Sequence, residues 1–180
     1  MRIHSRVIVL AIAVSFFACP LLAPSLQAGD SGTVKGTFTV AGKRFTPDHV
    51  YAVLTPGNFD KKTKDVLVIF TVKPREKDSI LLFGNGGPGG TDLTVMLGQG
   101  FKPGLTVISF TCRVLDASLG KFDSYSKGGP NSAVFEKKTF DPRNKGRVAG
   151  KIRFSEEPLA GKEVLTSDIE FDVPILGEKR

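Results

Sequence analysis

Apolar and polar residues alternate along most of this chain. Alternation with period two is the mark of a strand that buries one face. Thr33 to Val40 sets Val34, Phe38 and Val40 on one side and Lys35, Thr37 and Thr39 on the other. After a turn at Ala41-Gly42 and the punctuation of Pro47-Asp48, His49 to Leu54 reads as a second strand. Val66 to Val72 is apolar on both faces, which predicts a central strand covered on both sides. Leu105 to Leu115 reads as a long strand, with Lys121 to Ser126 as its hairpin partner beyond the turn at 116–120. Ala133 to Phe140 adds another. Two stretches are ambiguous. Ile80 to Phe83 reads as a short strand. Asp92 to Leu97 reads either as a strand or as a helical turn capped by Thr91 or Asp92.

The last quarter is the most regular. Arg147 to Phe154 places Val148, Ile152 and Phe154 on one face and Arg147, Lys151 and Arg153 on the other. Asp168 to Ile175 turns Ile169, Phe171, Val173 and Ile175 inward and Asp168, Glu170 and Asp172 outward. Paired antiparallel, these strands lay a basic row beside an acidic row, at about 0.2–1 kcal/mol for each cross-strand pair. That is charge complementarity serving the fold, not a catalytic carboxylate cluster. A pattern also repeats: Gly32-Thr33-Val34-Lys35-Gly36-Thr37-Phe38-Thr39-Val40 is echoed by Gly146-Arg147-Val148-Ala149-Gly150-Lys151-Ile152-Arg153-Phe154. The period is too long for a solenoid, and the in-facing Gly36 and Gly150 fit close packing or a bulge. No long amphipathic helix competes. Many short strands at about 8–12-residue spacing predict an all-β fold, an antiparallel β-sandwich or partly open barrel with at most one short helix.

The N-terminus departs from this grammar. Arg2 and Arg6 precede an apolar run from Val7 to Phe17, and Pro20 and Pro24 lead to Ser25-Leu26-Gln27-Ala28. This is the pattern of an export signal cleaved after Ala28. The run is too short to cross a bilayer, which takes about 20 apolar residues. The expectation is a periplasmic or secreted protein with a signal over 1–28, one β-sandwich domain over 29–180, and no transmembrane segment after cleavage. Lipoprotein anchoring at Cys19 is the second reading.

Charge and cysteine use narrow the chemistry. Loss of Arg2 and Arg6 takes the net charge from +7 to +5. The remaining Lys and Arg are scattered and form no nucleic-acid motif. Weak polyanion binding requires them to converge on one face. Beyond the signal, Cys112 stands alone, so no internal disulfide forms. Its phase within Ile108 to Val114 predicts a small buried hydrophobe. His49 has no Cys or carboxylate pattern around it and reads as a half-buried strand residue, so no metal or other cofactor is expected.

The stretch Gly84-Asn85-Gly86-Gly87-Pro88-Gly89-Gly90-Thr91-Asp92 is the candidate binding segment. Gly84, Gly86 and Gly89 satisfy a dinucleotide fingerprint, but no acid follows about 20 residues on. A phosphate loop would need Lys where Gly90 stands. A calcium-binding nonapeptide repeat would need Asp where Thr91 stands, with neighbouring repeats to stack on. Asn85-Gly86-Gly87-Pro88-Gly89 resembles the oxyanion loop of serine carboxypeptidases and other α/β-hydrolases. That resemblance implies backbone amides facing an acyl oxyanion. The nucleophile elbow is absent, however, and His49 precedes the loop where the family's His comes last. What stays is a loop whose backbone amides at Gly84, Asn85, Gly86, Gly87, Gly89 and Gly90, with Asp92, are the candidate ligand contacts.

Gly32 to Lys43 with His49-Val50-Tyr51-Ala52 resembles the opening of small exported bacterial β-rich proteins of uncharacterised function. Gly146 to Phe154 with Asp168 to Ile175 resembles their closing hairpin. The resemblance implies an exported β-domain and brings no catalytic residues with it. The glycine-rich centre departs from the pattern. The functional expectation is a non-catalytic binding or interaction domain of the cell envelope, with an unknown envelope protein or small ligand as its partner. The alternatives are a hydrolase-like enzyme using Gly84 to Gly90 and reactive Ser109 or Ser124, and a weak polyanion binder.

Overall fold

The structure is a computed structural model that describes residues 32–83, 90–99, 104–116, 121–129, 131–159 and 163–179. Ten strands and one short helix follow in chain order among these residues. The strands are β1 (Thr33–Val40), β2 (Lys43–Phe45), β3 (His49–Pro56), β4 (Lys64–Thr71), β5 (Asp92–Gln99), β6 (Leu105–Asp116), β7 (Lys121–Gly128), β8 (Ala133–Phe140), β9 (Arg147–Pro158) and β10 (Val164–Glu178). Helix α1 (Lys77–Phe83) lies between β4 and β5. The all-β expectation holds, as a single curled, half-barrel sheet.

Strand β10 makes the curl. It pairs antiparallel with β1 over Leu165–Asp172 on one side and with β9 over Val164–Pro174 on the other. Beyond that it runs parallel to β3, with Ile175 opposite Ala52 and Glu178 opposite Leu54. Pro174 lies where β10 leaves its antiparallel partners, a place where a missing N–H is tolerated. The sheet therefore has two limbs that share β10. Limb A is β2-β1-β10-β9-β8, and limb B is β10-β3-β4-β5-β6-β7. The echoed segments are β1 and β9, the two strands that flank β10. A Cβ on Gly36 would come 2.0 Å from the Asp168 carbonyl, and its φ of +115° is a conformation that favours glycine. A Cβ on Gly150 would meet the Glu136 carbonyl at 2.5 Å. Both glycines therefore allow close approach.

The main core lies between the limbs. Phe70 of β4 meets Phe171 of β10 edge-on at 5.3 Å, and Phe110 of β6 meets Phe154 of β9 at 4.9 Å. Val66, Val68 and Phe70 point into this core, while Leu67 and Ile69 point to the other side of β4. The apolar double face of β4 thus has two covers, as expected. The second cover is the correction to the sequence reading: Ile80 to Phe83 belongs to α1, not to a strand. As a strand, Ile80, Leu81 and Leu82 would alternate faces. As a helix, Ile80 and Leu81 pack together against Tyr51, Val53, Leu67 and Ile69, and Leu82 turns out to solvent. Asp78 in the first turn suits the helix dipole. The other ambiguity resolves as a strand, because Asp92 to Leu97 pairs with β4 and β6 throughout.

Candidate functional site

Of the predicted contacts, Gly84, Asn85, Gly86, Gly87 and Gly89 lie outside the described residues. Gly90 and Asp92 lie within them, at the point where the glycine-rich stretch enters β5. Register builds the site around Asp92. Thr71 of β4 and Arg113 of β6 are its direct cross-strand neighbours. The Arg113 guanidinium donates to Asp92 Oδ2 through Nε at 3.0 Å and through Nη2. Arg75, just past β4, closes over the same region: a Cβ on Gly90 would stand 2.5 Å from its Nη2, so a side chain there would displace that guanidinium. The Arg75 N–H donates to the Tyr51 hydroxyl at 2.9 Å. Thr91 ties the strand start down, its Oγ1 accepting from Leu115 N at 3.2 Å and its carbonyl from Val72 N at 3.4 Å.

Asp92 is fully buried. Burial raises its pKa, and the Arg113 hydrogen bond and charge, Arg75 and the nearby Thr94 hydroxyl offset only part of the rise. Asp92 Oδ1 and Thr94 Oγ1 complete no hydrogen bond of ordinary geometry. Two guanidinium groups around one carboxylate make an electrostatic anchor. It fixes the start of β5 to β6 and to the segment before α1. Sequence reasoning found Asp92 and Gly90 but missed Arg75, Arg113 and Tyr51. Their roles depend on strand register, which no local signal carries.

Cys112 is buried, and burial, with Asp92 adding to it, pushes its thiol up to about 12. It is therefore protonated and unreactive. The His49 ring stacks near Tyr51 at 6.5 Å. Ser109 and Ser124 sit on β6 and β7, with Ser124 opposite Arg113. Among the described residues no three His, Cys, Asp or Glu side chains converge to hold a metal ion. Asp65 and Glu157 are the other buried carboxylates among the described residues. Glu156, at φ 53°, lies in the stretch of β9 where the β9–β10 register shifts. The Glu157 carboxylate receives Lys127 Nζ and Ser132 N, joining β9 to the β7–β8 connection. Burial acts to raise its pKa, but those donors outweigh it and the net shift is downward.

The outer face of limb A is different in kind. Its charged residues stand in register across four strands. Lys35 of β1 is opposite Glu170 of β10, Glu170 is opposite Lys151 of β9, and Lys151 is opposite Glu136 of β8. One step along, Thr37, Asp168, Arg153 and Val134 form the next row. The basic row does lie beside the acidic row, but the ion pairs run diagonally. Lys151 reaches Asp168 at 2.6 Å and Arg147 reaches Asp172 at 2.5 Å. Glu170 is taken by Lys138, at the irregularity between Lys137 and Thr139, and Arg153 is taken by Glu136. Small Ala149 leaves a shallow cleft of about 280 Å³ in this lattice, rimmed by Lys35, Lys138, Glu170 and Asp172.

No family model, curated protein or solved structure matches the chain. Among the described residues, no helix is long and apolar enough to cross a membrane.

Proposed function

We propose that this protein is an exported, non-catalytic β-domain that binds a partner in the cell envelope through the outer face of limb A. The observation that carries the reading is the charge lattice of that face. Cations and anions alternate across four strands in fixed register, and a cleft opens between them over Ala149. Interleaved signs favour a protein partner of matching pattern. A polyanion would meet Glu136, Asp168, Glu170 and Asp172 among the cations. Export is supported by the basic and apolar pattern before Ala28.

Photo-crosslinking in an expressing cell tests this. A photoreactive residue replaces Lys138 on the lattice, or Ser124 on the opposite limb as the control. The expected result is a discrete adduct from position 138 and none from 124. Adducts from neither position, or from both equally, overturn the reading.

A further inference from the structure

We infer that the partner of this face is a second copy of the same chain, docked about a two-fold axis. The inference rests on the binding role proposed for limb A and names its occupant. The central row, in spatial order, is Lys35, Glu170, Lys151, Glu136. Its signs run plus, minus, plus, minus. A two-fold axis along the strands, midway between β10 and β9, turns this row over and sets it against its own reverse. Lys35 then faces Glu136 of the second copy, and Glu170 faces Lys151 of the second copy. Such a rotation keeps every residue at its own height along the strands, so the row on one side sets Asp172 over Ala149 of the second copy, at the cleft, and the row on the other side must match in charge. It does. Asp168 faces Arg153 of the second copy, and the exposed Val134 lies over the methyl group of Thr37. An isologous interface requires self-complementarity of this kind.

The ion pairs within one chain do not use up the face. An ionised carboxylate has about four lone-pair sites, and Glu170 already sits in the field of Lys138, Lys151 and Lys35, which hold its pKa below the ordinary value. Exposed charges of this type set orientation and salt dependence more than affinity. The expected complex is a weak, salt-sensitive dimer.

Sedimentation velocity of the full chain, at about 50 mM and about 500 mM NaCl, reads it directly. The dimer dissociation constant should weaken roughly tenfold or more at the higher salt. Lys35→Glu and Glu136→Lys should each weaken the dimer roughly tenfold at low salt, and the double swap should restore it. The swap is diagnostic because the two residues sit three strand spacings apart in one chain, about 14 Å. Neither can repair the other except across the interface. A monomer at both salts, a dimer indifferent to salt, or a swap without recovery overturns the inference.

Should a single variant fail to fold, the adduct from position 138 still decides. An adduct of twice the chain mass supports the second copy. A discrete adduct of another mass overturns this inference while the binding role stands. No adduct overturns both.

Discussion

The two limbs present opposite answers to one problem, the second face of a sheet. Limb B covers its outer face near β3 and β4 with α1 and closes the margin of that cover with buried charge, Asp92 between Arg113 and Arg75. Limb A leaves its outer face to water and fills it with charges on four strands, paired across β8, β9 and β10. Both faces hold carboxylate–guanidinium pairs, yet their energetics differ because burial differs. The Asp92 side chain is 0% exposed, whereas the Asp172 side chain is 43% exposed. A buried ion loses hydration that its partner must offset. An exposed one keeps its hydration and gains little from pairing.

Removing a partner on the buried side should therefore give the largest effect. Arg113→Met leaves Asp92 buried without its main counter-ion and is expected to cost about 4 kcal/mol of unfolding free energy at neutral pH. Urea denaturation measures it. The pH dependence has a definite sign. The folded-state pKa of Asp92 is already raised above 3.8, and loss of Arg113 raises it further. A carboxyl group with a raised folded pKa penalises the fold above that value, and the penalty is relieved as pH falls through it toward 3.8. The deficit of the variant should shrink on acidification. A deficit that stays flat with pH instead would mean that Asp92 folds protonated with or without Arg113 and that Arg113 acts through packing.

The apolar half of the same cover comes next. Ile80 is fully buried on the inner face of α1. Ile80→Ala should cost about 3 kcal/mol, the transfer of the lost carbons plus the cavity they leave. Hydrogen exchange sharpens the comparison. Protection should fall in β3, β4 and the C-terminal end of β10 around Leu176, which α1 covers, and the amides of β8 and β9 should keep theirs, because that part of limb A has no such cover to lose.

These regions also differed in how far the sequence disclosed them. Limb A was open to reading because alternation, sign and spacing are local. The basic face of β9 and the acidic face of β10 can be named from the chain alone. What could not be read was the diagonal choice of partners. It depends on the register irregularity near Lys138, which lets Lys138 take Glu170 and leaves Lys151 for Asp168. On limb B, the apolar double face of β4 announced that a cover existed. Its identity stayed hidden because Ile80 to Phe83 is too short for periodicity to separate helix from strand. Asp92 drew attention only by its place after the glycines. Its principal partner lies 21 positions on and meets it through the pairing of β5 with β6.

The exposed pairs should give the smallest effect, and a double-mutant cycle on Lys151 and Asp168 isolates it. Their side chains are 31% and 60% exposed, at a separation of 2.6 Å. The coupling is expected at about 0.5 kcal/mol in low salt. It should fade in about 1 M NaCl, where the screening length falls to about 3 Å. Each single change to Ala should cost less than about 1 kcal/mol, since water takes over the ion left behind. The cycle must be run at protein concentrations where the chain is monomeric, because Asp168 also has Arg153 of a second copy to meet. A coupling near 4 kcal/mol would place this face in the same regime as Asp92 and Arg113, and the contrast between the limbs would fall. A coupling that is small in dilute solution and grows with protein concentration would assign the lattice to association rather than to folding.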